Sequence, residues 1–353
     1  MMGIVMGTSM TRSMRIAAWL AVAAIAAGPA AAQQADDEQR QLDRVEAAVD
    51  RGLEYLGGAQ DPDGSFPTGV SGKPNTGVTA LCLLAFMGRG HAPGRGPYRE
   101  TVGRTIDFLL ESRQENGLVV RPGGNSHGPM YEHALATLAL IEASGWLVEP
   151  EIRESCQRAV DLIVHAQNKE GGWRYQPQPN DADLSVTVMQ VVALRAAQNA
   201  RLDVPGETLE RAVTYVKRCA RPEGGFSYQP GHGPKNAQSA AGALCLQLLG
   251  HHDDPDVAKA LGSLQAKKYG HDMDNYFHYM NYYAMQAHFQ AGAEQWAAWH
   301  PRVRALLLES QNADGSWPGW HEDNVNGRAK CYSTAMATMA LEVYMHYLPA
   351  YQR

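Results

Sequence analysis

A short pattern recurs along this chain and constrains its fold more than any other feature. It consists of an apolar residue, a Gln four positions later, a few polar residues, a Gly, and an aromatic or apolar residue. The anchor positions 60, 114, 167, 220, 265 and 311 lie 45 to 54 residues apart, which indicates one supersecondary unit used six times. The copies are LGGAQDPDGSF from Leu56, LESRQENGL from Leu110, IVHAQNKEGGW from Ile163, LLESQNADGSW from Leu307, and the weaker VKRCARPEGGF from Val216 and LGSLQ from Leu261.

Each repeat is predicted to be a pair of helices. Before the anchor, apolar residues recur at helical spacing among charged ones, as Leu209, Val213 and Val216 do. The Gly after the anchor ends this helix because Gly enters left-handed backbone conformations at little cost. The next segment is rich in Ala, Leu and Met on all sides, which is typical of a helix packed between neighbours. The sequence therefore predicts an all-α protein of six helical hairpins.

The Gln, Gly and aromatic signature resembles the QW repeat of squalene and oxidosqualene cyclases. Six hairpins are similar to the α/α toroid, or α6/α6 barrel, that these enzymes share with protein prenyltransferase β subunits. The resemblance covers residues 44–353 and implies a single toroid domain there. It also implies that each Gln amide bonds the next helix while the aromatic ring packs over the turn, so that neighbouring hairpins are coupled. The motif specifies the fold and says little about a reaction.

Residues 1–32 are predicted to be a secretory signal peptide. Arg12 and Arg15 precede the apolar run IAAWLAVAAIAAG, and Ala30 to Ala32 resemble a small-residue cleavage site. The run has 13 residues, which is short for a membrane span, so no transmembrane segment is expected in the mature chain. Residues 33–43 are a charged lead-in, and we expect export to the periplasm or the extracellular medium.

Charge and cysteine content narrow the classes of partner. The net charge of -6 becomes -8 when the two arginines of the signal peptide are removed, and no basic run occurs, so nucleic acid is not expected as a partner. The five cysteines include no CxxC pair, so most are predicted to be buried core thiols, with a bridge between Cys156 and Cys219 left open. No phosphate-binding or dinucleotide-binding motif is present, so no cofactor is expected.

One acidic stretch before a second helix is the best candidate for chemistry. The segment DADLSVT at residues 181–187 resembles the Asp-x-Asp-Asp-Thr-Ala acid motif of squalene-hopene cyclases, although Leu184 and Ser185 depart from it. The resemblance implies that Asp183, with Asp181 beside it, protonates a carbon-carbon double bond or an epoxide. The alternative interpretation is that Asp183 is an ordinary helix N-cap.

A carboxyl can act as such an acid only if it remains protonated and is strengthened by an apolar setting and a hydrogen-bonding partner. The candidate partners of Asp183 are Glu132, His133 and His278. The segment DNYFHYMNYY is also similar to the segment of protein prenyltransferases that supplies a zinc-binding His, which would be His278. The other zinc ligands of that family are missing here, so no metal site is predicted.

Aromatic residues near the same helix starts are candidates for substrate binding. They could stabilise carbocations through cation-π attraction or stack on sugar rings, and the alternative is that they pack in the core. The candidates are Tyr131, Tyr276, Tyr279, Tyr282, Tyr332 and Trp320.

Two classes of function are open at this point. The first is a secreted terpenoid-cyclase-like isomerase that starts cyclisation of an apolar polyprenoid with a proton from Asp183. The second is a secreted binding or scaffold protein without chemistry, or a glycan-active protein, on the same toroid. Protein partners are left open for both classes.

Overall fold

A computed structural model of the protein describes residues 29–68, 74–123, 128–147, 149–178, 180–320, 322 and 330–343. Most of the predicted signal peptide lies outside these residues. The described part contains twelve helices and one two-stranded antiparallel sheet. The helices are α1 Pro29–Ala59, α2 Thr76–Gly88, α3 Arg99–Glu111, α4 Pro129–Ser144, α5 Pro150–Ala166, α6 Leu184–Asn199, α7 Gly206–Cys219, α8 Asn236–Leu248, α9 Pro255–Gln265, α10 Phe277–Gln290, α11 Ala293–Ser310 and α12 Cys331–Glu342, and the strands are β1 Phe226–Ser227 and β2 Pro234–Lys235.

The chain divides into two compact units, Met1–Ala48 and Val49–Arg353, and the boundary falls within α1. In the described part of the first unit, the predicted lead-in is helical and polar, with side-chain pairs along the helix such as Gln39 to Asp43 at 2.8 Å. None of the described helices is both long enough and apolar enough to cross a membrane.

The second unit is a closed double ring of helices. The even-numbered helices pack in order, α2 on α4, α4 on α6, α6 on α8, α8 on α10 and α10 on α12, and α12 packs on α2 to close the inner ring. Inner helices are buried on nearly all sides, as every residue of α8 after the first is. The outer helix α7 instead buries one face, formed by Thr208, Ala212, Tyr215, Val216 and Cys219. The predicted all-α toroid of six hairpins is confirmed.

In the first and third repeats the motif glutamine joins its hairpin to the next one. The amide of Gln167 donates to Gly171 O at 2.9 Å within its own turn and to Thr208 O at 2.8 Å in the first turn of α7. Arg211, also on α7, donates to the Gln167 Oε1. Gln60 makes the equivalent contacts with Gly64, Thr101 and Arg104. The predicted coupling of neighbouring hairpins is thus confirmed.

The motif glycine is required by backbone conformation and by space. Gly171 has a φ of +94°, and a Cβ there would lie 2.0 Å from the carbonyl oxygen of Arg211 on the next outer helix. Any side chain would therefore be strained and would also push the two hairpins apart. Equivalent Cβ atoms would lie 2.1 Å from Arg104 O at Gly64, 2.5 Å from Arg158 O at Gly117 and 2.3 Å from Arg51 O at Gly315.

The motif aromatic joins the two helices of its own hairpin. The indole N–H of Trp173 donates to Ile163 O in α5 at 2.7 Å, and its backbone N–H donates to Thr187 Oγ1 in α6 at 3.1 Å. Trp317 makes the same two bonds to Leu307 and Thr334 at the same distances. A hydroxyl in the first turn of an inner helix is thus part of the repeat.

All five cysteines are buried thiols, which confirms the prediction that they lie in the core. Cys82 and Cys245 occupy inner helices.

The glycine geometry predicts a graded loss of stability. Gly171→Ala and Gly231→Ala both place a side chain at positive φ, which costs about 1–3 kcal/mol, but a Cβ at Gly231 meets nothing within 4 Å. We expect Gly171→Ala to lower the free energy of unfolding by clearly more than Gly231→Ala, because the Arg211 carbonyl must also move. Urea denaturation of both variants measures this difference. Equal losses of unfolding free energy would show that the close approach of Gly171 to the Arg211 carbonyl does not affect stability.

Candidate functional site

The amino-terminal ends of the inner helices are satisfied by groups from the following hairpin. The first amides of a helix lack partners within the helix, so they need acceptors from elsewhere. In this ring the acceptors are carbonyl oxygens or carboxylates, and they bring polar residues from successive hairpins to one end of the ring. The pairs are Thr76 N to Glu132 Oε2 at 2.9 Å, Met130 N to Tyr175 O at 3.1 Å, Leu184 N to Tyr228 O at 2.9 Å, Ala237 N to Asp274 Oδ2 at 3.0 Å and His278 N to Glu322 Oε2 at 2.6 Å.

Asp183 is a buried carboxyl at the start of α6. It is the N-cap residue, and its Oδ1 accepts the backbone N–H of Val186 at 2.9 Å. Its Oδ2 lies 3.2 Å from the guanidinium of Arg174, and its side chain is 0% exposed. Both oxygens of this inaccessible carboxyl are therefore engaged.

Burial raises the pKa of Asp183 to about 6. The backbone amide of Val186, the charge of Arg174 and the hydroxyl of Tyr228 act in the opposite direction, because each stabilises the carboxylate. Burial is the larger effect. The folded chain therefore holds a proton on this carboxyl at pH values where an ordinary Asp has lost it.

Arg174 connects Asp183 to a pair of tyrosines. Its guanidinium lies 4.4 Å from the ring centroid of Tyr175 and 5.5 Å from that of Tyr228, and it donates to the Tyr228 hydroxyl at 3.3 Å. The two tyrosine hydroxyls are hydrogen-bonded to each other. The guanidinium also lies 3.5 Å from Asp181, whose side chain is 59% exposed. Arg174 thus spans from the exposed Asp181 to the buried Asp183.

Further tyrosines approach the same site from α4 and α10. The ring of Tyr131 lies 5.8 Å from that of Tyr175, and the charge of Asp183 adds to burial in raising the pKa of Tyr131. Ser185 accepts a hydrogen bond from Gln238 at 2.9 Å and interacts with the hydroxyls of Tyr131 and Tyr279. Side chains from four inner helices therefore meet around the start of α6.

Two of the predicted acid partners have other roles in the described contacts. Glu132 is buried and caps α2 through Thr76. His133 accepts the N–H of Val119 on Nδ1 at 3.1 Å, and its Nε2 bonds Ala159 O at 3.1 Å. His133 thereby takes the position that Thr187 has in the next repeat, and burial lowers its pKa to about 4. Both of its nitrogens are engaged by backbone groups, not by Asp183.

His278 and Trp320 form an aromatic cluster of their own. The Nε2 of His278 bonds Pro318 O at 2.8 Å, its ring stacks on Trp320 with centroids 4.9 Å apart, and burial lowers its pKa to about 4. Trp320 has a φ of +48° and also contacts His271 and Phe277. The final turn therefore packs on the start of α10.

The remaining predicted aromatics are divided between core and surface. Tyr279 and Tyr282 are buried and pack edge-on against Tyr283 at 4.6 and 5.1 Å. Tyr332 donates to Glu322 at 3.2 Å, and Tyr276 is 59% exposed. Of the six predicted binding residues, Tyr131 and Tyr279 have described contacts at the Asp183 site.

Sequence reasoning missed Arg174, Tyr175 and Tyr228. A signal for the two tyrosines exists, because YQP follows the motif aromatic at the same offset in two repeats, Trp173 to Tyr175 and Phe226 to Tyr228. Both tyrosine carbonyls cap the inner helix of the preceding hairpin. Among the described residues, no three His, Cys, Asp or Glu side chains converge as a metal site requires.

A separate cavity of about 640 Å³ lies at the carboxyl-terminal ends of the inner helices, away from Asp183. It contains none of the predicted site residues. Its lining includes Arg195, Gln247, Leu248, Val257, Leu261 and Gln290.

A protein-family model described as the prenyltransferase alpha-alpha toroid domain matches residues 21–174 and 151–272. The chain belongs to this family. Two drimenyl diphosphate synthases match this toroid chain, one from Streptomyces showdoensis with 28% identity over 215 residues and one from Streptantibioticus cattleyicolor with 27% identity over 189 residues. The matches cover 59% and 53% of this chain but 38% and 33% of those proteins, so the chain spans about a third of the length of these curated relatives.

Solved toroids of different activities share the fold. An alpha-1,6-mannanase from Salegentibacter superposes with a TM-score of 0.64 at 12% identity, covering 86% of this chain and 99% of that one. A type II terpene cyclase from Scytonema, solved with geranylgeranyl dihydroxybenzoate, superposes with a TM-score of 0.59 at 15% identity, covering 88% and 99%. At these identities the likeness shows the fold alone.

The network around Asp183 predicts the effect of removing one hydroxyl. Tyr228→Phe should raise the pKa of Asp183 above about 6, because the Tyr228 hydroxyl stabilises the carboxylate. Tyr175→Phe is the matched control, since it removes the other hydroxyl of the pair and should shift this pKa less. Carbon-13 NMR titration of Asp-labelled protein measures both, and an unchanged pKa in Tyr228→Phe would contradict the assignment.

Proposed function

We propose that this protein is a terpenoid-cyclase-like isomerase in which Asp183 protonates a polyprenoid. The observation that carries the proposal is the Asp183 carboxyl, which is fully buried beside several tyrosines and has a pKa raised to about 6. Roughly a tenth of such carboxyls are protonated at neutral pH, whereas an ordinary Asp is almost entirely ionised. Proton transfer to a double bond requires this neutral form.

The surroundings of Asp183 would stabilise both products of the proton transfer, the carboxylate and the substrate carbocation. When the proton leaves, the new carboxylate is stabilised by the Val186 N–H at 2.9 Å and by Arg174 at 3.2 Å. The carbocation formed on the substrate carries positive charge, which aromatic rings stabilise through their electron-rich faces. Tyr131 and Tyr279 are the nearest candidates for that role among the predicted binding residues.

The matched relatives favour the same class of substrate. Their name, drimenyl diphosphate synthase, describes formation of a terpenoid, and the terpene cyclase of the same fold binds a geranylgeranyl compound. We therefore propose a linear polyprenoid as the substrate of this chain.

The structural alternative is a binding or scaffold protein in which Asp183 only caps α6. It is favoured by the pairing with Arg174 and by the bond from Val186, since both stabilise the ionised form. Under this alternative the ring has no need of a protonated carboxyl.

We also propose that the protein is exported. The support is the amino-terminal sequence, in which Arg12 and Arg15 precede an apolar run and a small-residue cleavage site.

The decisive variant is Asp183→Asn. Asn keeps the N-cap acceptor for Val186 but carries no acidic proton, so we expect conversion to fall by about 100-fold or more. Conversion of farnesyl diphosphate, geranylgeranyl diphosphate and squalene is followed by gas chromatography with mass spectrometry. Thermal unfolding checks the stability of the variant.

Asp254→Asn is the matched control for that experiment. Asp254 is also an N-cap Asp with a cationic partner, Lys217 at 2.7 Å, but it caps the outer helix α9. This variant should retain full conversion. If Asp183→Asn also retains it, or if the wild-type chain converts none of the three substrates, the scaffold alternative is favoured.

The pKa of Asp183 also sets the expected pH dependence. Only the protonated carboxyl is active, so kcat/KM should be constant below about pH 6 and should fall about tenfold for each pH unit above it. A stopped assay across pH 4.5 to 8.5, roughly two units either side of that pKa, measures the profile. A rate that rises with pH would rule out Asp183 as the acid.

A further inference from the structure

The ring closes where the first inner helix meets the last one, and two cysteines lie at this seam. Cys82 is in the middle of α2, and Cys331 is the first residue of α12. Both side chains are completely buried, and the two helices pack against each other. The residues are separated by 249 positions in the sequence.

The described contacts bring these two thiols together. The Sγ of Cys82 lies 4.0 Å from the carbonyl oxygen of Cys331, and after burial the neighbouring Cys331 side chain is the next cause that raises the pKa of Cys82. The pair that the sequence left open has different neighbours. The charges of Arg113 and Arg153 act on the thiol of Cys156, whereas the thiol of Cys219 contacts the side chain of Tyr215.

We propose that Cys82 and Cys331 form a disulfide when the chain folds in oxidising surroundings, which joins the first inner helix to the last. The inference rests on the proposed export, because export would bring the chain into an oxidising compartment. It does not depend on the proposed catalysis. Disulfides persist in the periplasm and outside the cell, where thiols are not kept reduced.

The bond forms by thiol-disulfide exchange with a disulfide oxidant such as oxidised glutathione. One protein thiolate attacks a glutathione sulfur and releases one reduced glutathione, and the second protein thiolate then displaces the other. The two protons of the protein thiols pass to the two released glutathione thiols. One protein disulfide and two reduced glutathione molecules result, so atoms and electrons balance.

Burial determines when this exchange can occur. The thiolate is the attacking species, and burial raises the pKa of Cys82 well above its ordinary value. The exchange therefore takes place while the chain folds, before the seam is closed. Reduced protein that is already folded should resist the same oxidant.

The position of the disulfide means that it should stabilise the folded chain. A cross-link that closes a long loop restricts the unfolded chain strongly, and this loop contains almost the whole ring. The noncovalent contact of Arg51 with Gln311, which joins the first hairpin to the last, then holds elements that are already cross-linked.

The test is to refold the mature chain in a glutathione redox buffer. Free thiols are blocked with N-ethylmaleimide under denaturing conditions, and peptides are mapped by mass spectrometry before and after reduction. We expect one cross-linked peptide pair containing Cys82 and Cys331, with Cys156, Cys219 and Cys245 alkylated. The oxidised form should melt several degrees above the reduced form.

Two variants make the outcome specific. Cys156→Ala should keep the cross-link and the melting difference, whereas Cys331→Ala should lose both. Full alkylation of Cys82 and Cys331, or a cross-link between any other pair, would overturn the proposal. Because none of these measurements uses a substrate, failure of the proposed catalysis would not affect them.

Discussion

The ring depends on close contact between each turn and the outer helix of the next hairpin. At Gly171 the backbone of the turn comes so near to the Arg211 carbonyl that no side chain fits, and Gln167 then bonds the same helix. One turn therefore ends its own helix and fixes the position of the next hairpin. The last turn makes this contact with Arg51 of α1, so the same interaction that joins neighbours also closes the ring.

The fold could be predicted because each motif residue has a local task that its chemistry specifies. Gly ends a helix at positive φ, Gln supplies an amide to the next helix, and the aromatic ring fills the turn. The weaker copies were harder to interpret for a physical reason. At Gly224, in the repeat where Ala220 replaces Gln, a Cβ would lie 3.4 Å from Lys259 O, so this junction is looser and tolerates the change.

The site was predicted only in part, because its residues come together through the ring and not through local sequence. Asp183 could be identified, since an acid before a helix has a recognisable pattern. Arg174 could not, because its importance depends on Tyr228 arriving from the next hairpin. His133 shows the converse difficulty, since a buried His that replaces a repeat hydroxyl resembles a catalytic residue until its backbone bonds are known.

The contrast between two helix caps bears on what Asp183 does. Asp183 and Asp254 both accept a backbone amide at a helix start and both pair with a cation. Burial nevertheless raises the pKa of Asp183 to about 6. At Asp254 burial also acts to raise the pKa, but the bonds from Lys217 and from the backbone of Asp256 together outweigh it, so the pKa is lowered. A raised pKa means that the folded chain binds the proton more tightly than the unfolded chain. The contribution of Asp183 to the free energy of unfolding therefore falls as pH rises from 3.8 through about 6. The two caps therefore share their local geometry, and they differ in how strongly their surroundings oppose the charged form of the carboxyl.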